Sequence, residues 1–202
     1  SDFEEYFGHK STEGFDPHED MKQFGVINQT TMLATETEEV MNIPKEAAIT
    51  KYGEAEILNH FADTSDTLCY ATHENQSATY ALTEAGADLS LVGGGYNSSN
   101  TMHIVEILEH HFPTYHVRDA LELKSEDEIQ HFDQWDNQIK TSRDWLPAYN
   151  GEEPVTIALT SGASCPDILV DEVLQRILSY YEGTREIEEV LKPYLDNQQA
   201  EA

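Results

Sequence analysis

Along the second half of the chain, apolar residues come alternately in short continuous runs and in stripes at helical spacing, with glycine, proline and serine between them. Residues 76–85 read as a helix stopped by Gly86, since glycine accepts the left-handed backbone that ends helices. Residues 87–92 read as a strand closed by Gly93, Gly94 and Gly95. Over 101–112 the side chains of Met102, Val105, Leu108 and Phe112 share one helical face, and Pro113 ends the run. A strand over 114–117, a polar helical stretch over 125–132 and a last strand over 155–159 follow, with Trp135 and Trp145 in the loop between the last two. Pro166 then opens a helix whose apolar residues Ile168, Leu169, Val173, Ile177 and Leu178 keep helical spacing.

Upstream the pattern is less regular. Gly14-Phe15-Asp16-Pro17 is turn chemistry, and the short apolar run over 23–28 predicts a buried strand. Thr35-Glu36-Thr37-Glu38 is a candidate capping box, with Thr35 as cap and Glu38 reaching back. Pro44 is expected to interrupt that helix, and a second helical stretch over 45–61 leads to the loop holding Cys69. Strands alternating with helices predict an α/β fold: a mostly parallel sheet with helices on both faces. Ligands of such folds bind beyond the carboxyl ends of the strands, where the polar strand-to-helix turns of this chain fall.

Composition narrows the picture. A chain of 202 residues, 39% of them hydrophobic, can bury one good core, or one complete domain and part of another. No apolar run approaches a bilayer span, and Ser1-Asp2-Phe3-Glu4-Glu5-Tyr6 has neither a basic leader nor an apolar signal core. The expectation is an intracellular protein, with both cysteines reduced. Eleven Lys and Arg against 39 Asp and Glu give a formal charge of −28. That balance argues against nucleic acid and anionic membranes as partners, since both require clustered cations. It suits a solvated surface, including one adapted to high salt. An anionic ligand would have to be held by helix dipoles and hydroxyls rather than by lysines.

Two turns offer such a design. Asn97-Ser98-Ser99-Asn100 follows a strand and glycines and precedes a helix, so backbone N–H groups, the positive helix end and hydroxyls can converge on one anion. A plainer role for Ser98 or Ser99 is to cap the helix. Thr160-Ser161-Gly162-Ala163-Ser164 repeats the arrangement, with Ser164 as the expected cap. Gln29-Thr30-Thr31 is a third polar turn, in which threonines ordinarily serve as caps or turn formers. Cys69 follows polar residues and precedes a helix, a position that favours thiolate and so a soft metal. Cys165 reads as a passive small residue, and His73, His103, His110 and His111 as surface histidines without metal spacing.

Taken together, Asn28 to Leu33, Thr67 to Thr72 with Gln76, Val92 to Thr101, and Thr160 to Asp167 resemble the LytB/IspH family of 4-hydroxy-3-methylbut-2-enyl diphosphate reductases. Gly14 to Pro17 and Thr35 to Glu39 look like its plant and cyanobacterial branch. The resemblance implies three similar α/β domains around a [4Fe-4S] cluster bound by three cysteines, of which Cys69 resembles the third. It implies that Thr30 bonds the substrate hydroxyl and assists proton delivery, and that Ser98, Ser99, Asn100 and Ser164 hold the substrate diphosphate. An electron donor such as ferredoxin or flavodoxin, and a cytoplasmic or plastid-stromal location, follow from the same resemblance. So does a division into the end of a middle domain (1–60), a third domain (61–183) and a tail (184–202). The family's other two cluster cysteines, its diphosphate-binding histidines and its acidic proton donor have no counterpart here, so the expectation is a C-terminal portion, inactive alone, that lacks its N-terminal half. Asn75 stands where the family suggests arginine, and Cys165 where it suggests another small residue. The alternative is a non-catalytic diphosphate-binding module that has lost the cluster.

Overall fold

The computed structural model describes residues 2–62, 64 and 70–193. Its contacts divide the chain into two compact units, Ser1–Glu74 and Asn75–Ala202.

In the first unit, helix α1 (Asp2–Phe7) brings Phe3 within 5.5 Å, centroid to centroid, of both Phe7 and Phe15. The Gly14-Phe15-Asp16-Pro17 turn starts the short helix α2 (Pro17–Asp20), where Asp16 accepts a 2.9 Å hydrogen bond from His18 N. The run over 23–28 forms no sheet strand. Phe24 makes one parallel bridge to Phe61, through Phe24 N to His60 O (3.0 Å) and Ala62 N to Phe24 O (2.9 Å), and Ile27 is 78% exposed. Without neighbouring strands on both sides, an apolar run gains little from extending a ladder.

Helix α3 (Ala34–Tyr52) corrects two expectations. Leu33 occupies the cap position and makes no side-chain capping bond, while the Thr37 hydroxyl donates back to Leu33 O at 2.8 Å, so Thr35 is not the cap. Pro44 lies inside the helix and does not end it. Proline removes one N–H, whose acceptor would have been the carbonyl four residues back. That residue, Val40, is 54% exposed, on a side where water can satisfy the freed group. Gly53, at φ 88°, ends the helix instead, and the short α4 (Ile57–His60) follows.

Helix α5 (Tyr70–Ala85), whose residues from Asn75 on belong to the second unit, stops at Gly86, φ 80°, as expected. A five-stranded sheet follows in the order β4-β3-β2-β1-β5. Its parallel centre consists of β1 (Leu89–Gly93), β2 (Thr114–Val117) and β5 (Ile157–Ser161), with β1 between the other two. All of β1 is buried, as a central parallel strand requires. Between β1 and β2 runs α6 (Ser99–Glu109), and after β5 comes α7 (Asp167–Leu178). One cluster packs Leu89, Leu91, Val117, Leu123, Ile129 and Trp145 with Val173 and Ile177 of α7; a second packs Val92 with Ile104, Val105 and Leu108 of α6.

The expected helix over 125–132 is instead an antiparallel ribbon, β3 (Glu128–Asp133) paired with β4 (Gln138–Arg143), which makes the sheet mixed. Ile129 is fully buried, while the tip is closed by Asp133, whose carboxylate accepts from Trp135 N and Asp136 N at 2.9 Å each. Asn137, at φ 51°, completes the turn, a conformation asparagine tolerates well. Trp135 is 69% exposed, its indole donating to Glu109 at 2.9 Å; Trp145 is buried, its indole donating to Ser125 O at 3.0 Å.

Candidate functional site

The carboxyl ends of β1 and β5 lie side by side, Gly93 in register with Ser161. Gly162 N donates to Gly93 O at 2.9 Å, so both strand-to-helix turns leave the sheet at the same level. One turn runs from Gly94 into α6, the other from Gly162 into α7.

The first turn is built around Ser98. Its N–H donates to Gly95 O (3.0 Å), and its hydroxyl oxygen accepts from Thr101 N (3.3 Å), which makes it the N-cap of α6. Ser99 is the first helical residue. Asn100, on the same turn, is only 4% exposed, and neither atom of its amide has a hydrogen-bond partner. A buried amide left in that state costs about 1–3 kcal/mol per group. Next to it, Thr101 is fully buried and its hydroxyl also lacks a partner.

The second turn is bonded differently. Cys165 N donates to Gly162 O at 2.8 Å, and the cap position of α7 falls to Pro166, which offers no capping side chain. Ser164 is exposed in the turn and does not cap the helix, contrary to expectation. From α5, Asn75 Nδ2 donates to Ser161 O at 3.1 Å, tying that helix to the end of β5.

A buried network braces the first turn from the β2 side. His116, 1% exposed, donates from Nε2 to Gly94 O at 3.1 Å, and its ring meets Tyr96 and Phe132 edge-on at 5.3 and 5.7 Å. Burial pushes the imidazole down to about 4, so it stays neutral near pH 7. The Tyr96 hydroxyl donates to the buried Glu122 carboxylate, which also accepts from Arg118 N at 2.7 Å. Burial, followed by that carboxylate, raises the phenol pKa. The Arg118 guanidinium lies 5.6 Å from the Tyr96 ring centroid and pairs with Asp119 at 3.3 Å and Glu122 at 4.0 Å. None of His116, Glu122 or Thr101 carries a sequence signal: each reads locally as an ordinary strand, turn or helix residue. Only the glycines at 94 and 162 hint that something packs closely there.

Of the sequence-predicted residues, Ser98, Ser99, Asn100 and Ser164 all fall on these two adjoining turns. Thr30 belongs to the first unit, exposed in a turn closed by Met32 N to Gln29 O at 3.1 Å. Cys69 lies outside the described residues. Cys165 is half-buried, and burial together with Asp167 raises its thiol pKa, which disfavours thiolate. Among the described residues no three His, Cys, Asp or Glu side chains converge as a metal cage. These residues therefore do not by themselves fit an iron–sulfur cluster. No helix among them is long and apolar enough to cross a membrane.

What the arrangement can do is bind an oxyanion. Two helices of more than two turns begin at adjoining points, each with first-turn N–H groups that lack intrahelical acceptors. Asp167 in the first turn of α7 opposes an anion there, so the α6 turn is the stronger of the two.

Comparison with known proteins places the chain by sequence. Residues 5–178 match the family model described as LytB protein. The 4-hydroxy-3-methylbut-2-enyl diphosphate reductase of Gloeobacter violaceus is 43% identical over 173 residues, covering 85% of this chain and 40% of the relative. The enzyme of the same name from Synechocystis is 38% identical over 183 residues, 90% of this chain and 47% of the relative. A solved structure of (E)-4-hydroxy-3-methyl-but-2-enyl diphosphate reductase aligns with a TM-score of 0.42 and 24% identity, over 78% of this chain and 44% of that one. The chain spans less than half the length of these curated relatives. With the family model covering the whole sheet and both turns, the chain belongs to the LytB protein family.

Proposed function

We propose that this chain provides the diphosphate-holding region of a 4-hydroxy-3-methylbut-2-enyl diphosphate reductase, the enzyme that forms isopentenyl and dimethylallyl diphosphate at the end of the non-mevalonate isoprenoid pathway. The observation that carries the reading is the buried, unpartnered Asn100 amide on the first turn of α6, beside the cap Ser98 and level with the second turn. A diphosphate on that edge gives the amide a charged acceptor and takes further hydrogen bonds from Ser98, Ser99 and Ser164. Neutral donors suit a chain with 11 basic residues against 39 acidic ones.

In this reading the reaction adds two electrons and two protons to the allylic alcohol and releases its oxygen as water. Thr30 donates a hydrogen bond to that hydroxyl and helps place a proton on it. Cys69 would supply one thiolate to a [4Fe-4S] cluster, which when bound would supply the electrons; its remaining cysteine ligands would have to come from sequence that this chain does not contain. The electrons themselves come from a carrier such as ferredoxin or flavodoxin.

Calorimetric titration of the full-length reductase with its substrate, beside anaerobic turnover, tests the assignment. Thr30→Val keeps the dissociation constant and lowers kcat, because its partner is the reacting hydroxyl. Asn100→Ala weakens binding about ten- to a hundredfold, the worth of one hydrogen bond to a charged group. Unchanged affinity in Asn100→Ala would remove the diphosphate from this edge.

A further inference from the structure

We propose that Thr101 is a positioning residue that sets the distance between the two anion-holding turns, and so selects a diphosphate over a single phosphate. The inference rests on the diphosphate reading above.

Thr101 is the third residue of α6, yet its side chain sits between the glycines that open the two turns. A methyl group at Gly94 would fall 2.5 Å from its Oγ1 and 2.8 Å from its Cγ2. A methyl at Gly162 would lie nearer still to Oγ1, and 3.2 Å from Cβ. Both distances to Oγ1 are shorter than any van der Waals contact, so the three residues fit together only because positions 94 and 162 carry no side chain. The hydroxyl is fully buried and without a hydrogen-bond partner, so Thr101 acts here by shape. Oxygen is smaller than a methyl group, which accounts for threonine rather than valine at this spacing.

At the sheet end the two turns are also joined by a backbone hydrogen bond, Gly162 N to Gly93 O at 2.9 Å. Beyond it, Thr101 spaces the two turns. A single phosphate engages one helix start, and its affinity does not depend on the span. A diphosphate reaches both, and its second contact survives only if the turns are correctly spaced. The ratio of the two affinities therefore reports the span.

The test is calorimetric titration of the 202-residue chain with inorganic diphosphate and, separately, inorganic phosphate, alongside thermal melts. Wild type binds diphosphate more tightly than phosphate. Thr101→Ala lowers that preference about tenfold while the phosphate affinity stays as it was, and Thr101→Ser, which keeps Oγ1, retains it. Gly162→Ala, which wedges the turns apart, lowers the preference by a similar factor. Adding Thr101→Ala to Gly162→Ala restores much of it, because the new methyl fills the space that the threonine left. A folded Thr101→Ala chain with the wild-type preference, or one weakened equally toward both anions, overturns the proposal. If Thr101→Ala does not fold, a double variant no better than Gly162→Ala alone overturns it. Wild type that binds neither anion removes the diphosphate reading and this inference with it, whereas a discriminating wild type with indifferent variants removes the inference alone.

Discussion

The two turns at the end of the sheet have similar sequences and different internal bonding. In the first, Ser98 is committed to α6, accepting from Thr101 N, and the loop is braced by His116 on Gly94 and by Tyr96 on Glu122. In the second, Ser164 stands exposed ahead of a helix that begins on proline, and the turn is held by its own backbone and by Asn75. Capping and anion binding are thus separable duties for a serine before a helix: under the proposed diphosphate reading the first turn would combine them, and the second, where Ser164 makes no cap, would leave only binding.

Acid should separate the turns most. Burial lowers His116 from its ordinary 6.5 to about 4, so the unfolded chain binds a proton between these values that the folded one does not. The stability that neutral His116 contributes is fully present above pH 6.5 and is lost as pH falls toward 4, to a limit of about 3 kcal/mol. Hydrogen exchange at pH 5 against pH 7 should show the amides around Gly94 to Ser98 losing protection before those around Gly162 to Cys165. His116→Gln should flatten the pH dependence of the melting temperature, and an unaltered profile would take away the bracing role.

Next in size is Ser98→Ala, which should cost on both counts. Diphosphate affinity falls about ten- to a hundredfold, and stability by about 1 kcal/mol through the lost cap. Ser164→Ala should lose affinity by about tenfold with stability within about 0.5 kcal/mol of wild type. A matching drop in melting temperature for both serines would erase the distinction between the turns. Smallest is Cys165→Ala: with its thiol pKa raised, it should leave any cluster of the full-length enzyme intact, whereas Cys69→Ser strips it, as Mössbauer spectra of the two variants would show.

The part of this fold legible in the sequence is the part where burial dictates pattern. The apolar runs of β1, β2 and β5 and most of the stripes of α6 and α7 supply the core, with Ile168 at the start of α7 an exposed exception, and the structure keeps these elements within a few residues of where the periodicity puts them. The β3–β4 ribbon was illegible because Glu128-Ile129-Gln130-His131 buries a single side chain fully, too little to set a period, and its strand character comes from pairing with residues downstream. Pro44 misled for the converse reason: propensity weighs against proline in a helix, but neighbouring turns and solvent on the Val40 side carried the helix through. At the site, serines and glycines announced both turns, while Thr101, His116 and Glu122 act through contacts between elements that no local pattern records.

The placement of the two tryptophans gives the chain a pair of optical reporters with different reach. Trp145 lies 4% exposed in the main core and emits from an apolar surround until the whole unit unfolds, while Trp135 sits 69% exposed at the ribbon tip, its indole tethered to the carboxylate at the end of α6. A neutral quencher such as acrylamide reaches the second and spares the first. Iodide, repelled by a chain of charge −28, reaches either one only as added salt screens the field, so the gap between the two quenchers measures that field directly.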